Sequence, residues 1–543
     1  MTEILSENPI LLLFLVASIG YLIGSIEIKK SSLGVAAILF TGLAFGALNP
    51  NFQIPEIIFL IGLSIYIYSI GLSSGPAFFT SYKKNGLRDF GFIFVMLLFS
   101  GILAYVLSLI FGFSAATLTG IYTGSTTNTP ALAGVIDLLT NSNNPNAELY
   151  TQDLVVGYTY SYPMGVLGGM IAIVITQRLL KINFDEEQER LKKTYPVEQK
   201  LGSFSIEIQN DEICGISIRN LLQEHNWNIV FGRIYHNEKS SLANYHTEFS
   251  IGDIVMAVGN EEDILEAAKV LGAMTDSPLA YDRTLFDARR IFVSNPSIAG
   301  RTIASLDLSA KYDTVITRIR RGDLDMLATG ETILELGDRI RFIARREDLD
   351  DLSDYFGDSY LESSRVNLFS FGLGIGLGLL LGSIQFNLGI LSFKLGYAGG
   401  PLIVGLMLGA LRRTGPIVWT LPYSATVTLK QIGLILLLSA IGVRSGNAFV
   451  ESFSNEGLSI FLGSAFVSLI TAFSILLIGY RLMKIPYSVL MGMVANQPAI
   501  LEFATSRSQN RIPEYGFTMM FPIAMITKIL LAQILFLILS QIS

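Results

Sequence analysis

Residues 123–134 read TGSTTNTPALAG. Thr123, Ser125, Thr126, Thr127, Asn128 and Thr129 form a near-unbroken polar row inside an apolar stretch, and Pro130, which has no backbone N–H, follows at once. A lipid-facing helix does not tolerate this combination, because hydrocarbon offers no partner to a freed backbone group. Either the stretch is a kinked packing helix whose hydroxyls bond to backbone, or it is a deliberate break in the membrane.

The rest of the chain supports the second reading. It has 543 residues, 51% hydrophobic and 15% charged, with mean hydropathy +0.51. This is the composition of a polytopic membrane protein. Span-length apolar runs recur from Pro9 to Leu180 and from Val366 to Leu539. Residues 184–364 hold most of the charge, all three histidines and the single Cys214, so no intrachain disulfide can form. The leader MTEILSENP carries Glu3 and Glu7 without lysine or arginine, unlike a cleavable signal peptide.

The two apolar regions match each other in order. GYLIGSI (20–26) pairs with GLLLGSI (378–384), GLAFGAL (42–48) with GLMLGAL (405–411), and IGLSIYIYSIGLSSGPAFF (61–79) with IGLILLLSAIGVRSGNAFV (432–450). The opening stretch has its own partner: Gly124, Asn128, Pro130 and Ala131 align with Gly492, Asn496, Pro498 and Ala499. GYTYSYP (157–163) and GFTMMFP (516–522) follow them. The membrane part is a duplication.

Loop charge sets direction. In the first half the segments read as 9–27, 32–48, 56–80, 89–112, 114–140 and 154–180. Lys29, Lys30, Lys83, Lys84, Arg88, Arg178 and Lys181 share one face only if 114–140 enters and leaves on the same side. The second half repeats this with Arg412, Arg413, Arg481, Lys484, Arg507 and Arg511, if 486–505 is also re-entrant. The expected fold is therefore a polytopic α-helical membrane protein. It has two inverted repeats, each of five transmembrane helices plus one re-entrant hairpin, and an inserted cytosolic pair of small α+β domains. The boundaries are 1–182, 183–280, 281–362 and 363–543. Both termini lie outside and the insert lies inside. Inverted repeats with broken helices meeting at mid-membrane are the arrangement of secondary transporters.

Half-helix starts present N–H groups that suit a carboxylate. The candidate substrate-binding residues are Thr126, Thr127, Asn128, Thr129 and Pro130 on the first tip, and Asn496, Gln497 and Pro498 on the second. Tyr158 and Tyr162 precede or flank Pro163, and Lys528 is an intramembrane cation that either meets the substrate or bonds carbonyls at the hairpin. Arg444 is read as a surface anchor with gating as the alternative, and Asp137 and Glu502 as lying near the membrane surface. No histidine lies in the membrane part, no catalytic constellation is visible, and an enzyme is not expected. His225, His236 and His246 fit no metal spacing, and FGLGIGLGLLLG (371–382) opens a membrane segment rather than following a strand. No cofactor, metal or nucleic-acid partner is expected. The insert is itself duplicated: Gly215 to Gly252 and Gly300 to Gly337 are equally spaced.

GLSSGPAFF, TNTPALAG, GYTYSYP, GVRSG, NQPAI, the closing FPIAMITKILLAQ and the two Gly–Asp domains together resemble the aspartate:alanine exchanger family. In that family a duplicated membrane domain flanks two TrkA-C domains, the C-terminal regulatory domain of Trk-type and potassium-channel proteins. The resemblance implies a bacterial inner-membrane antiporter exchanging aspartate for alanine between the two hairpin tips by alternating access. Its implied partners are amino acids or dicarboxylates, the bilayer and a second copy in a homodimer. The alternatives are a dicarboxylate or glutamate exporter of the same family, or an ion channel or ion-coupled transporter gated by the insert.

Overall fold

Apolar length decides where this chain can cross a membrane. In the computed structural model, six described helices or helix parts are long and apolar enough: Glu56–Pro76, Phe90–Phe111, Ala147–Leu180, Tyr423–Arg444, Gly457–Arg481 and Ile523–Ser540. The structure describes all residues except 1, 27–34, 36, 141–143, 192–200, 226, 238, 277–284, 323, 389–390, 456, 496–497, 511 and 543; at some further positions, Pro498 and Glu502 among them, it describes backbone alone.

The first half comprises helices α1 (Pro9–Gly24), α2 (Ala37–Leu48), α3 (Glu56–Phe111), α4 (Ala115–Ser125), α5 (Thr129–Thr140), α6 (Ala147–Leu180) and α7 (Phe184–Leu191). The second comprises α8 (Leu368–Ser383), α9 (Gly396–Leu411), α10 (Tyr423–Asn455), α11 (Gly457–Arg481), α12 (Tyr487–Val494), α13 (Pro498–Ser508) and α14 (Ile512–Ile542). One expected boundary is absent. Residues 81–88 continue the helical backbone of α3, because no proline follows Pro76 in that helix to interrupt its hydrogen-bond ladder.

The chain forms two compact units. The first contains Met1–Val197, Phe371–Leu411 and Thr428–Ser543. Its helices meet through matched glycines. Gly42 lies against Gly442, and its sequence counterpart Gly405 lies against Gly71, the counterpart of Gly442. Gly46 meets Gly446 as Gly409 meets Gly75, while Gly62 and Gly433 face each other's carbonyls, each 2.8 Å from where a Cβ would stand. A larger residue at these positions would overlap backbone, which cannot give way as a side chain can.

The second unit contains Glu198–Ser370 with Arg412–Val427. Strands β1 (Leu201–Ile208), β2 (Ile229–His236), β3 (Lys239–Leu242), β4 (Ile254–Asn260) and β5 (Gly272–Thr275) form one antiparallel sheet, ordered β3-β2-β4-β1-β5. Strands β6 (Phe286–Phe292), β7 (Val315–Arg321), β8 (Leu324–Leu327) and β9 (Arg339–Arg345) repeat that order as β8-β7-β9-β6. Val230, Met256 and Val258 of one sheet pack with Phe286, Leu327 and Ile343 of the other. The aspartate of each Gly–Asp pair is buried and fastens the same turn. Asp253 accepts the Ser250 N–H at 2.8 Å and meets His236 at 2.6 Å. Asp338 accepts the Glu335 N–H at 2.8 Å and the Arg321 guanidinium at 2.8 and 2.7 Å. His236 thus has a structural partner, and its counterpart in the second copy is an arginine.

Candidate functional site

The polar row that opened the sequence first satisfies itself. Ser114 caps α4, accepting the Thr117 N–H at 3.1 Å. Along the helix the hydroxyls of Thr119, Thr123, Ser125 and Thr126 each bond the carbonyl four residues back, at 2.6–3.0 Å. Hydroxyls used this way compete with helical backbone, so the helix is poorly held at its end.

It ends at Thr127, whose φ is 46°. The Asn128 N–H reaches back to the Thr123 carbonyl at 2.8 Å and the Thr127 N–H to Gly124 at 2.9 Å, the double bond of a Schellman closure. Glycine usually fills this left-handed position. A β-branched residue there is strained by about 1–3 kcal/mol, a cost that surrounding packing must impose. The packing is visible: Thr127 Cγ2 lies against Gly165 of α6, 2.7 Å from where a Cβ would stand. The Thr127 hydroxyl is buried and has no hydrogen-bond partner among the described residues.

Helix α5 then starts on Asn128, whose Oδ1 accepts the Ala131 N–H at 2.9 Å. Pro130 suits the first turn, where its missing N–H costs nothing. The Thr129 hydroxyl shares a 2.8 Å hydrogen bond with the Tyr158 hydroxyl, and the Tyr162 ring lies 5.5 Å from that of Tyr158. From α14, Lys528 donates to the Thr126 carbonyl at 3.2 Å. That carbonyl lies at the negative end of α4, where a cation is favoured. Thr126, Thr127, Asn128 and Lys528 are all less than 9% exposed.

The structure thus brings Thr126, Thr127, Asn128, Thr129, Pro130, Tyr158, Tyr162 and Lys528 to one buried junction of α4, α5, α6 and α14. Beside it is a cavity of about 20 Å³, lined by Ser125, Thr126, Ser468, Thr471 and Val494 among others. A cavity of that size holds about one water, so a larger ligand enters only if these elements separate. Ser468 and Thr471 of α11 were not singled out from sequence. Their signal is the helical spacing of Ser464, Ser468 and Thr471 within an apolar helix.

The other candidates lie elsewhere. Arg444 is partly exposed and pairs with Glu148 of α6, its Nε 3.0 Å from Oε1. Tyr160 faces away from Tyr158 and Tyr162: its hydroxyl donates to the Phe449 carbonyl at 3.0 Å. Asn496 and Gln497 lie outside the described residues, and Pro498 opens α13 with only its backbone described. Asp137 lies at a second junction, between α5 and α9. It is 2% exposed, and its Oδ2 accepts the Tyr397 N–H at 2.8 Å, because the first turn of α9 needs an acceptor and Gly396 leaves room for it.

A polar break buried in a duplicated membrane unit narrows the chain to a class of transporter, and comparison with known proteins supplies the family. The family model described as Predicted Permease Membrane Region, that of the aspartate:alanine exchangers, matches twice, over residues 12–178 and 370–537. The chain belongs to the aspartate:alanine exchanger family. A TrkA-C domain matches residues 288–357, the second copy within the insert. Similar proteins include uncharacterized transporters of Geobacter sulfurreducens (44% identical, covering 98% of this chain and 99% of that one) and Symbiobacterium thermophilum (40%, covering 99% and 100%). A third, from Corynebacterium glutamicum, is 37% identical over 98% of both chains. This exchanger-family member is therefore a multi-pass membrane transporter whose membrane region is split by a TrkA-C-containing insert.

Proposed function

We propose that this transporter is an antiporter exchanging an acidic amino acid for a neutral one, with aspartate for alanine as the leading pair. The observation that carries this reading is the buried break at Thr127–Asn128, where a half-helix end, a half-helix start and the Lys528 ammonium converge. A carboxylate placed there would meet a cation and the start of α5, while a neutral substrate would use the hydroxyls.

Two inverted repeats, each with five crossings and one re-entrant hairpin, account for the matched break at 492–500 and for the loop charges. The reciprocal glycine contacts support a two-fold relation between the halves. The second tip, with Asn496, Gln497 and Pro498, would complete the site by approaching the first. The protein would then sit in a bacterial inner membrane with both termini outside and the insert in the cytoplasm. A homodimer formed through residues 200–360 would leave each subunit transporting alone.

Counterflow in proteoliposomes tests the exchange. Labelled aspartate should accumulate only when the vesicles hold aspartate or alanine. Accumulation driven instead by internal glutamate or a dicarboxylate would make the protein an exporter of those acids. Accumulation without any internal substrate would favour the ion-channel or ion-coupled reading, which the TrkA-C match keeps in view.

A further inference from the structure

Helix α7 follows the last span of the first half and leads toward the insert. Its sequence, FDEEQERL, is eight residues long and mostly acidic or polar, too short to be stable alone in water. It is docked instead. The Phe184 ring lies 6.3 Å from that of Tyr487, and Glu187 is only 4% exposed. The Glu187 carboxylate accepts the Tyr487 N–H at 2.6 Å, the Ser488 N–H at 3.0 Å and the Ser488 hydroxyl at 2.6 Å.

These are the first residues of α12, the opening helix of the second broken element, and both are fully buried. A buried helix start must find partners for its N–H groups. Pro486 stands at the cap position and offers no side-chain acceptor. The corresponding helix of the first half, α4, caps itself with Ser114. The two broken elements therefore differ: the first is anchored locally, the second by a carboxylate three hundred residues earlier in the chain. A carboxylate suits this place, since charge-assisted bonds are strong and a helix start favours a negative group. Tyr487 is fixed from its other end as well, its hydroxyl donating to the Ile173 carbonyl at 2.6 Å.

We infer that Glu187 is a positioning residue that clasps the second broken element to the segment entering the insert, so that displacement of that segment is felt at one broken element and not the other. The functional part rests on the proposed substrate site; the structural part does not. Three forms of the full-length protein decide it: wild type, Glu187→Ala, and Glu187→Ala combined with Pro486→Ser, which restores a local cap. Amide hydrogen exchange should quicken about tenfold or more in Glu187→Ala, over both 184–191 and 487–490, and stay unchanged over 115–125. The added Pro486→Ser should restore protection at 487–490 alone. Aspartate counterflow should fall in the single variant and stay low in the double. If Glu187→Ala does not accumulate, Glu187→Gln, which keeps an acceptor and loses the charge, should show the same pattern more weakly. Unchanged exchange over 184–191 would overturn the clasp. Full counterflow in the double variant would reduce Glu187 to a cap. Should wild type show no counterflow with any substrate, the proposed transport fails while the exchange pattern still decides the clasp.

Discussion

Asn128 and Lys528 hold the first break from its two sides, and they fail differently. Asn128→Ala removes the acceptor for the Ala131 N–H, a loss of about 0.5–2 kcal/mol for a helix cap. If the tip also binds substrate, the variant should raise the apparent KM in counterflow beyond what its small fall in Tm explains. An unchanged KM would leave Asn128 as a cap and nothing more. Lys528 brings charge. Lys528→Met should cost aspartate transport far more than alanine transport, because only the acid needs a cation to offset its burial. Equal losses in a variant that still folds would confine Lys528 to bonding the Thr126 carbonyl.

At the scale of elements, the break is made by α6 as much as by its own residues. Thr127 adopts a left-handed backbone because its side chain seats against Gly165, and the carbonyls of Gly124 and Ser125 crowd the same spot. Gly165→Ala would place a methyl group 2.5 Å from the Gly124 carbonyl oxygen and 2.7 Å from Thr127 Cγ2, an overpacking that costs about 1–3 kcal/mol. We expect it to unseat the tip and abolish exchange at temperatures where the protein remains monodisperse. Thr127→Gly, which suits the positive φ, removes only the methyl and leaves the Gly124 and Ser125 carbonyls in place, so it should not rescue Gly165→Ala. Full exchange in Gly165→Ala alone would show that the tip does not depend on this close approach. The polar row at 123–129 was legible in sequence as a break, since hydroxyls, asparagine and proline cannot sit side by side in lipid. Tyr158 and Lys528 were legible as candidates beside it, but other partners were not. Ser468, Thr471 and Glu187 reach the two breaks through packing of distant helices, and the spacing of Ser464, Ser468 and Thr471 marks only a polar helix face, not what it meets.

For the whole molecule, the proposed inverted-repeat arrangement places residues 145 and 509 on opposite sides of the membrane. In a protein with Cys214→Ser, a membrane-impermeant maleimide added outside should label Pro145→Cys and not Gln509→Cys until the membrane is opened. The reverse pattern would sink the inverted-repeat arrangement. Residues 363–370 and 412–427 show where sequence order misleads at this scale. They flank or interrupt the second membrane half in sequence, yet belong to the compact unit built on the insert. Arg413 donates to the carbonyls of Ser297 and Ala299 at 2.8 and 2.9 Å, long-range bonds that hydropathy does not register.

The sequence by itself determined the class of protein, the duplication of both its membrane part and its insert, and the two places where a membrane helix must break. Each follows from composition, spacing or backbone chemistry, which act over a few residues or repeat at a visible interval. Tertiary structure alone decided which residues meet there: that Lys528 holds the end of α4, that Asp137 is buried at the start of α9, and that Glu187 caps a helix in the other half. Buried polar groups take whichever partner the fold brings within about 3 Å, and that choice is made by packing across hundreds of residues.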